Sequence, residues 1–392
     1  MITLIQSIVA CGGAFMPLDF AARLKGWAED GILLETDDLN KPTRKPPCGI
    51  GRTVSLVLGN PGFLEDPHGA AWQVWNANGK QFAPNGAVMR SAVLGALSCN
   101  DEAQVVRNAI SAAMVTHADP RCVVSCVVVN VLIARMLRGC YNEELAPAIL
   151  PSPTVLDAKT RADIAENVLR ERSLPSETSK GQEASPADGE REGVSATDGE
   201  SRRPRFRLTP AARARLASFL AGKSDANESS NLAVLYDRPA AILNPALPSL
   251  ARSAAAVSVV SDVIDEYAFL LPNAEQVAEL RAHGLAPTLE SLRLAEEDRI
   301  GYTFKALGAG LNLLTRDLNA AESSAEAFRQ VITELTLEAG DSDTNACVGG
   351  ALLGCRIGYK ALPEDWVQGL SHGRELHLLV DRLLEAVWCS GE

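Results

Sequence analysis

Nothing in this chain of 392 residues pairs its cysteines. There are nine, odd in number, scattered, and without a CxxC spacing, which argues against a zinc ribbon and against a disulfide framework. They read as small apolar residues in a reducing compartment. Positive charge is also short. Lys and Arg total 37 against 49 Asp and Glu, for a net charge of −12, so no broad nucleic-acid-binding surface is expected. Long apolar runs are lacking too. Residues 122–134 form one that ends at Arg135, short of the roughly 20 residues that a bilayer span needs. Residues 1–14 are apolar, but they have no basic flank and Gln6 interrupts them. They predict a buried helix rather than a signal peptide. No repeat of fixed period is present. Together these absences predict a soluble, cytoplasmic protein with neither nucleic acid nor membrane as partner.

What is present is a globular composition, 46% hydrophobic and 22% charged, enough for a sizeable core. Helical spacing dominates. Phe20, Leu24 and Trp27 follow Pro17-Leu18-Asp19. Asp66-Pro67-His68 opens a stretch through Ala70, Ala71, Val74 and Trp75, and Asn100-Asp101 precede Val105, Val106, Ile110 and Ala113. Each is an N-terminal signal followed by an apolar stripe at intervals of three to four. Residues 122–137 are rich in β-branched strand formers, yet so long an unbroken stretch favours a helix. Similar patterns cover 210–221, 253–271, 274–283, 323–338 and 375–387. The expected fold class is all-α, a compact multi-helix bundle. Residues 173–204 differ: Leu174 and Val194 are their only aliphatics larger than alanine. Such a stretch buries too little to offset its ordering entropy. It predicts a disordered insertion at about 173–206 interrupting a single domain over 1–392. Arg202, Arg203, Arg205 and Arg207 at its end read as its solvated flank.

Several segments carry chemistry. Gly369-Leu370-Ser371-His372-Gly373 matches GxSxG but lacks the preceding strand that a nucleophile elbow needs, and it reads as chance. Gly49-Ile50-Gly51 is too loose for a dinucleotide fingerprint. From Asp341 to Asn345 every side chain carries an oxygen, the ligand type that Mg²⁺ and Ca²⁺ take. Ala346 and Leu352 stand where an EF-hand needs glycine and glutamate, which excludes that motif. The alternative for Asp341 and Asp343 is plain capping of a helix starting near Ala346. Pro84-Asn85-Gly86 reads as a turn into a helix, able to hold an anion on its backbone N–H groups or merely to cap. His117, in Thr116-His117-Ala118-Asp119-Pro120, is a ligand candidate or a satisfied buried histidine. His68, His283, His372 and His377 carry no further pattern.

In order and spacing, these segments resemble the ADP-ribosylglycohydrolase family. The matching stretches are Gly49-Ile-Gly-Arg-Thr53, Asp66-Pro67-His68, Ala83-Pro-Asn-Gly-Ala-Val-Met-Arg90 and Thr116-His-Ala-Asp-Pro-Arg121. They continue with Ile300-Gly-Tyr-Thr-Phe-Lys-Ala-Leu-Gly-Ala-Gly-Leu311, Gly340-Asp-Ser-Asp-Thr-Asn-Ala346, Gly349-Gly-Ala-Leu-Leu-Gly354, and Leu362-Pro363 with Trp366. The resemblance implies an all-α hydrolase with two Mg²⁺ ions in a central cleft. Its members cleave the glycosidic bond between ADP-ribose and an acceptor, so an ADP-ribosylated protein or an ADP-ribose-containing small molecule is the implied partner. It also implies Asp341 and Asp343 as catalytic carboxylates that bind metal with Thr344. Asn85, Gly86, Met89 and His117 would lie beside the ADP-ribose, and Tyr302 would pack on the adenine. The family's Thr-Asp-Asp-Thr metal motif has no counterpart in position here. Thr36-Asp37-Asp38 falls elsewhere, and residues 1–8 look like the helix that follows the motif, as if the chain were truncated at its N-terminus. A catalytically dead relative that binds ADP-ribose is the alternative implied.

Overall fold

The structure, a computed structural model, describes residues 1–32, 34–36, 42–44, 46–139, 157–170 and 250–388. The insertion expected at 173–206, the helical pattern at 210–221, and Asp37 and Asp38 lie outside the described residues. The described residues belong to one compact unit, Met1–Glu171 with Pro239–Glu392.

The unit is built of helices, and local chemistry sets where they start. Helices α1 (Ile2–Ala10) and α2 (Pro17–Asp30) come first, α2 with proline in its first turn. A two-stranded antiparallel hairpin follows, β1 (Leu34–Thr36) and β2 (Pro42–Arg44). It is a small departure from the all-helical expectation. Next come α3 (Arg52–Leu58), α4 (Pro67–Ala77), and the short α5 (Val88–Ser91) and α6 (Leu94–Leu97). The Asp66 side chain accepts the Gly69 N–H at the head of α4. Asp101 does the same for Gln104 at the head of α7 (Glu102–Met114). Asp119 accepts the Arg121 N–H at the head of α8 (Pro120–Leu137). Each cap satisfies an N–H that the helix itself leaves free. After α9 (Ala158–Arg170) the described chain resumes with α10 (Ala254–Tyr267), α11 (Ala274–Gly284), α12 (Thr303–Leu314) and α13 (Ser324–Leu337). Helices α14 (Ser342–Ile357), α15 (Glu364–Gln368) and α16 (Gly373–Trp388) complete it.

The valine-rich segment is helix α8, packed by α7, α10, α12 and α14. By length and composition it could cross a membrane, but 83% of it is buried inside the protein. Its apolar surface is therefore taken up by the core. All-round burial removes the solvent-facing side that would otherwise make a helix amphipathic, which is why its sequence looked undecided. One ion network survives in this core. Glu102, 1% exposed, accepts from Arg135 at 2.6 Å and from the Tyr267 hydroxyl at 2.8 Å, and it also pairs with Arg138. Burial works against its charge, but these donors outweigh it and lower its pKa.

The contact between α12 and α14 positions the site, because each helix brings site residues at its N-terminal end. Their axes approach closely where Gly310 faces Val348, with a Cβ on Gly310 only 2.7 Å from Val348 Cγ1. Helix α14 begins at Ser342, one turn before the Ala346 start that the spacing suggested.

Candidate active site

Gly340 sets the entry to α14. Its φ of +72° lies in the left-handed region, and a Cβ there would meet Leu294 O at 2.3 Å, so both backbone and space demand glycine. Asp341 follows at the N-cap position, yet its side chain makes no capping hydrogen bond. Instead its Oδ2 accepts from Asn85 Nδ2 at 2.7 Å, across 256 residues of sequence. Asp343 Oδ1 accepts the Thr344 backbone N–H at 2.7 Å. The two carboxylates interact. Burial, then the neighbouring Asp343, raise the Asp341 pKa, while the hydrogen bond with Asp341 and the Thr344 N–H lower that of Asp343. Close carboxylates resist ionising together, and a cation between them would relieve that repulsion. The Thr344 hydroxyl lies 3.6 Å from Met89 Sδ. Behind it Asn345 is 1% exposed, and neither its amide nitrogen nor its oxygen has a hydrogen-bond partner.

The turn at residues 83–86 is held by the segment before α12. Asn85 N donates to Gly301 O at 2.9 Å and Thr303 N to Ala83 O at 3.0 Å. Gly301 lies beside both groups, for a Cβ there would stand in ordinary contact at 3.8 Å from Asn85 Oδ1 and Asp341 Oδ2. On the other side of the turn a Cβ on Gly86 would lie 3.1 Å from His117 Nε2. His117 is buried. Thr116 Oγ1 accepts from Arg90 at 2.6 Å and lies 2.6 Å from His117 Nδ1. The hydroxyl keeps a second lone pair as well as its proton, so Thr116 can meet either ring tautomer at Nδ1. Burial, and then the Arg90 charge, push the His117 pKa down to about 3, so the ring is neutral.

A cleft of about 960 Å³ opens from Gly301 and Tyr302. The Tyr302 ring lies between two guanidinium groups, those of Arg121 and Arg299, each 5.7 Å from its centroid. Burial disfavours the Arg121 charge, but Asp119 more than compensates and raises its pKa. Tyr302, pushed above the usual phenol range by burial and then by Glu279, stays protonated.

Four stretches far apart in sequence, at 85–89, 117, 301–302 and 341–344, thus converge. The sequence model of one family matches residues 1–240 and 211–391. The chain belongs to the ADP-ribosylglycohydrolase family. No curated protein matches the sequence. The family assignment makes this a hydrolase of the ADP-ribosylglycohydrolase type in general, on an all-α fold.

All eight residues that the sequence singled out in this chain are gathered here. Asn85 touches Asp341, Met89 touches Thr344, Gly86 faces His117, and Tyr302 lies beside Gly301. Sequence reasoning did not single out Arg121, Arg52, Phe82, Arg299 or Glu279, all of which line the cleft. Arg121 and Arg52 fall inside matching stretches and could have been found there. Glu279 carries no signal of its own, because only the packing of α11 on α12 brings it into place.

Proposed function

We propose that this chain hydrolyses the glycosidic bond between ADP-ribose and an acceptor, with Mg²⁺ held at Asp341, Asp343 and Thr344. One observation carries the reading. Asp341 occupies an N-cap position, but its carboxylate makes no cap bond to its own helix and is gripped instead by Asn85 from 256 residues away. A carboxylate serving only as a cap would bond a backbone N–H of the first turn.

The donor set suits a hard cation. Two interacting carboxylates, a hydroxyl, and the unpartnered Asn345 amide behind them are oxygen chemistry of the kind Mg²⁺ takes. Among the described residues no third His, Cys, Asp or Glu joins them, so they supply one flank of a metal site. Bound there, the metal would polarise a ribose hydroxyl and a water molecule.

The other roles belong to this chain's own residues. Asn85 orients Asp341. Asp341, its pKa raised by burial, and Asp343, its pKa lowered by the bond to Asp341 and the Thr344 N–H, would both be drawn to the ionised form by a bound cation. Neutral His117, in its Nε2–H tautomer, would offer a donor beside Gly86 to an anionic oxygen of the substrate. Tyr302, with the Arg121 and Arg299 guanidinium groups over its ring, would meet the adenine at its edge.

Calorimetric titration with ADP-ribose, with and without Mg²⁺, tests the reading, followed by release of ADP-ribose from a modified protein. Metal-dependent binding with turnover supports it. Binding without turnover would instead make the chain an ADP-ribose-binding module, and a folded sample that binds nothing would overturn both.

A further inference from the structure

One wall of the cleft is basic and takes no part in the roles above. Arg52 stands 5.2 Å over the Phe82 ring, and Lys80 5.7 Å over that of Trp75. Both cations and Phe82 line the cleft. Trp75 is locked, since its Nε1 donates at 2.9 Å to Asp119, the carboxylate that also fixes Arg121. Two other cleft cations are paired, the largely buried Arg121 with Asp119 at 2.8 Å and the exposed Arg299 with Glu279 at 3.5 Å. Arg52 and Lys80 have no carboxylate partner among the described residues.

Backbone conformation adds a second observation. Lys80 has φ of +60°, directly after Gly79 at +69°. The pair closes helix α4, with Lys80 N donating to Trp75 O at 3.0 Å and Gly79 N to Asn76 O at 3.1 Å, and this turn brings Lys80 to the cleft. The acidic residues Glu275 and Asp298 belong to other cleft segments, 273–279 and 298–302. Charge is therefore segregated, and the wall formed by Arg52 and Lys80 is the one that would accept an anion. The net charge of −12 supplies no wider basic surface for a polyanionic strand, which favours a small anion carried by the substrate itself.

We propose that Arg52 and Lys80 form a subsite for a third phosphate on the substrate, a phosphomonoester on the adenosine ribose of an ADP-ribosyl group. This rests on the reading of the neighbouring site as one that binds ADP-ribose. The two cations give charge-assisted hydrogen bonds to the phosphate, and the aromatic rings beneath them hold their stems in place.

Calorimetric titration in Mg²⁺ with ADP-ribose and with ADP-ribose 2′-phosphate tests the subsite. The extra phosphate should tighten binding about tenfold or more, and the gain should shrink as salt rises. Arg52→Gln with Lys80→Gln should erase the gain, so that the two ligands bind alike. Lys80→Gly removes the charge at a position where glycine is unstrained, so it should lower the gain without harming the fold. Equal affinity of the two ligands for the unaltered protein would overturn the subsite and leave the ADP-ribose reading intact. Failure of both to bind would overturn the two together. If a single-stranded RNA bound more tightly than either, and lost that binding in the double variant, the wall would be a strand-binding surface and the proposal would be wrong.

Discussion

At the scale of single residues, His117 shows how burial fixes chemistry. Its pKa is down to about 3, from burial and then from the Arg90 charge. A histidine with a depressed folded pKa stabilises the protein fully above its unfolded value, near 6.5, and loses that contribution as pH falls toward 3. By pH 5 the loss should reach about 2 kcal/mol. Urea titrations at pH 7 and pH 5 would show it, and His117→Gln should flatten the difference. An equal pH dependence in the variant would mean that the ring is not the titrating group. Asp343 belongs to the same scale. Asp343→Ala should abolish Mg²⁺-dependent ADP-ribose binding in calorimetry. A residue that merely supports the helix end would cost about 1 kcal/mol of stability and leave binding intact.

At the scale of elements, the site depends on how closely helices approach. A Cβ on Gly308 of α12 would fall 2.5 Å from the His283 carbonyl oxygen of α11. Backbone cannot give way as a side-chain tip can, so Gly308→Ala should destabilise by about 1–3 kcal/mol. Gly350 of α14 is the control, with Ile332 Cδ1 3.9 Å from its Cβ position. There Gly350→Ala should be neutral, or stabilise by up to about 1 kcal/mol through helix propensity. Thermal or urea denaturation of the two variants compares them directly. Similar behaviour of both would show that the α11–α12 approach is not tight. Because α12 also carries Tyr302 at its head, the Gly308 variant should lose ligand affinity along with stability.

At the scale of the whole molecule, the site exists only when widely separated segments meet. Ligand should therefore stabilise the folded unit as one cooperative body. With Mg²⁺ present and ADP-ribose at about a hundred times its Kd, mass action adds roughly 2.7 kcal/mol, visible as a raised Tm. Asp343→Ala should remove that rise and leave the unliganded Tm close to the parent value. A rise that persists in the variant would place the ligand elsewhere.

The sequence by itself determined the helical class, the helix starts at Asp66 and Asp101, and the family, through short stretches in a fixed order. These are local properties, because a cap or an apolar stripe is complete within one turn or two. It could also place Asp341 and Asp343 near a helix start, but their spacing alone did not distinguish a cap from a ligand. Tertiary structure decided that. The Asn85 amide reaches Asp341 from 256 residues away, and helix α14 starts early enough to put Asp341 at its N-cap without a cap bond of its own. The nature of α8 was likewise a tertiary matter, since valines that favour a strand in isolation become a helix when neighbours cover every side. Arg52 lies in a matching stretch and Trp75 in an apolar stripe, but nothing in the sequence joined them to Lys80 and Phe82 as one wall. Stacking of cations on rings depends on distances between chains of atoms that only packing brings into one place.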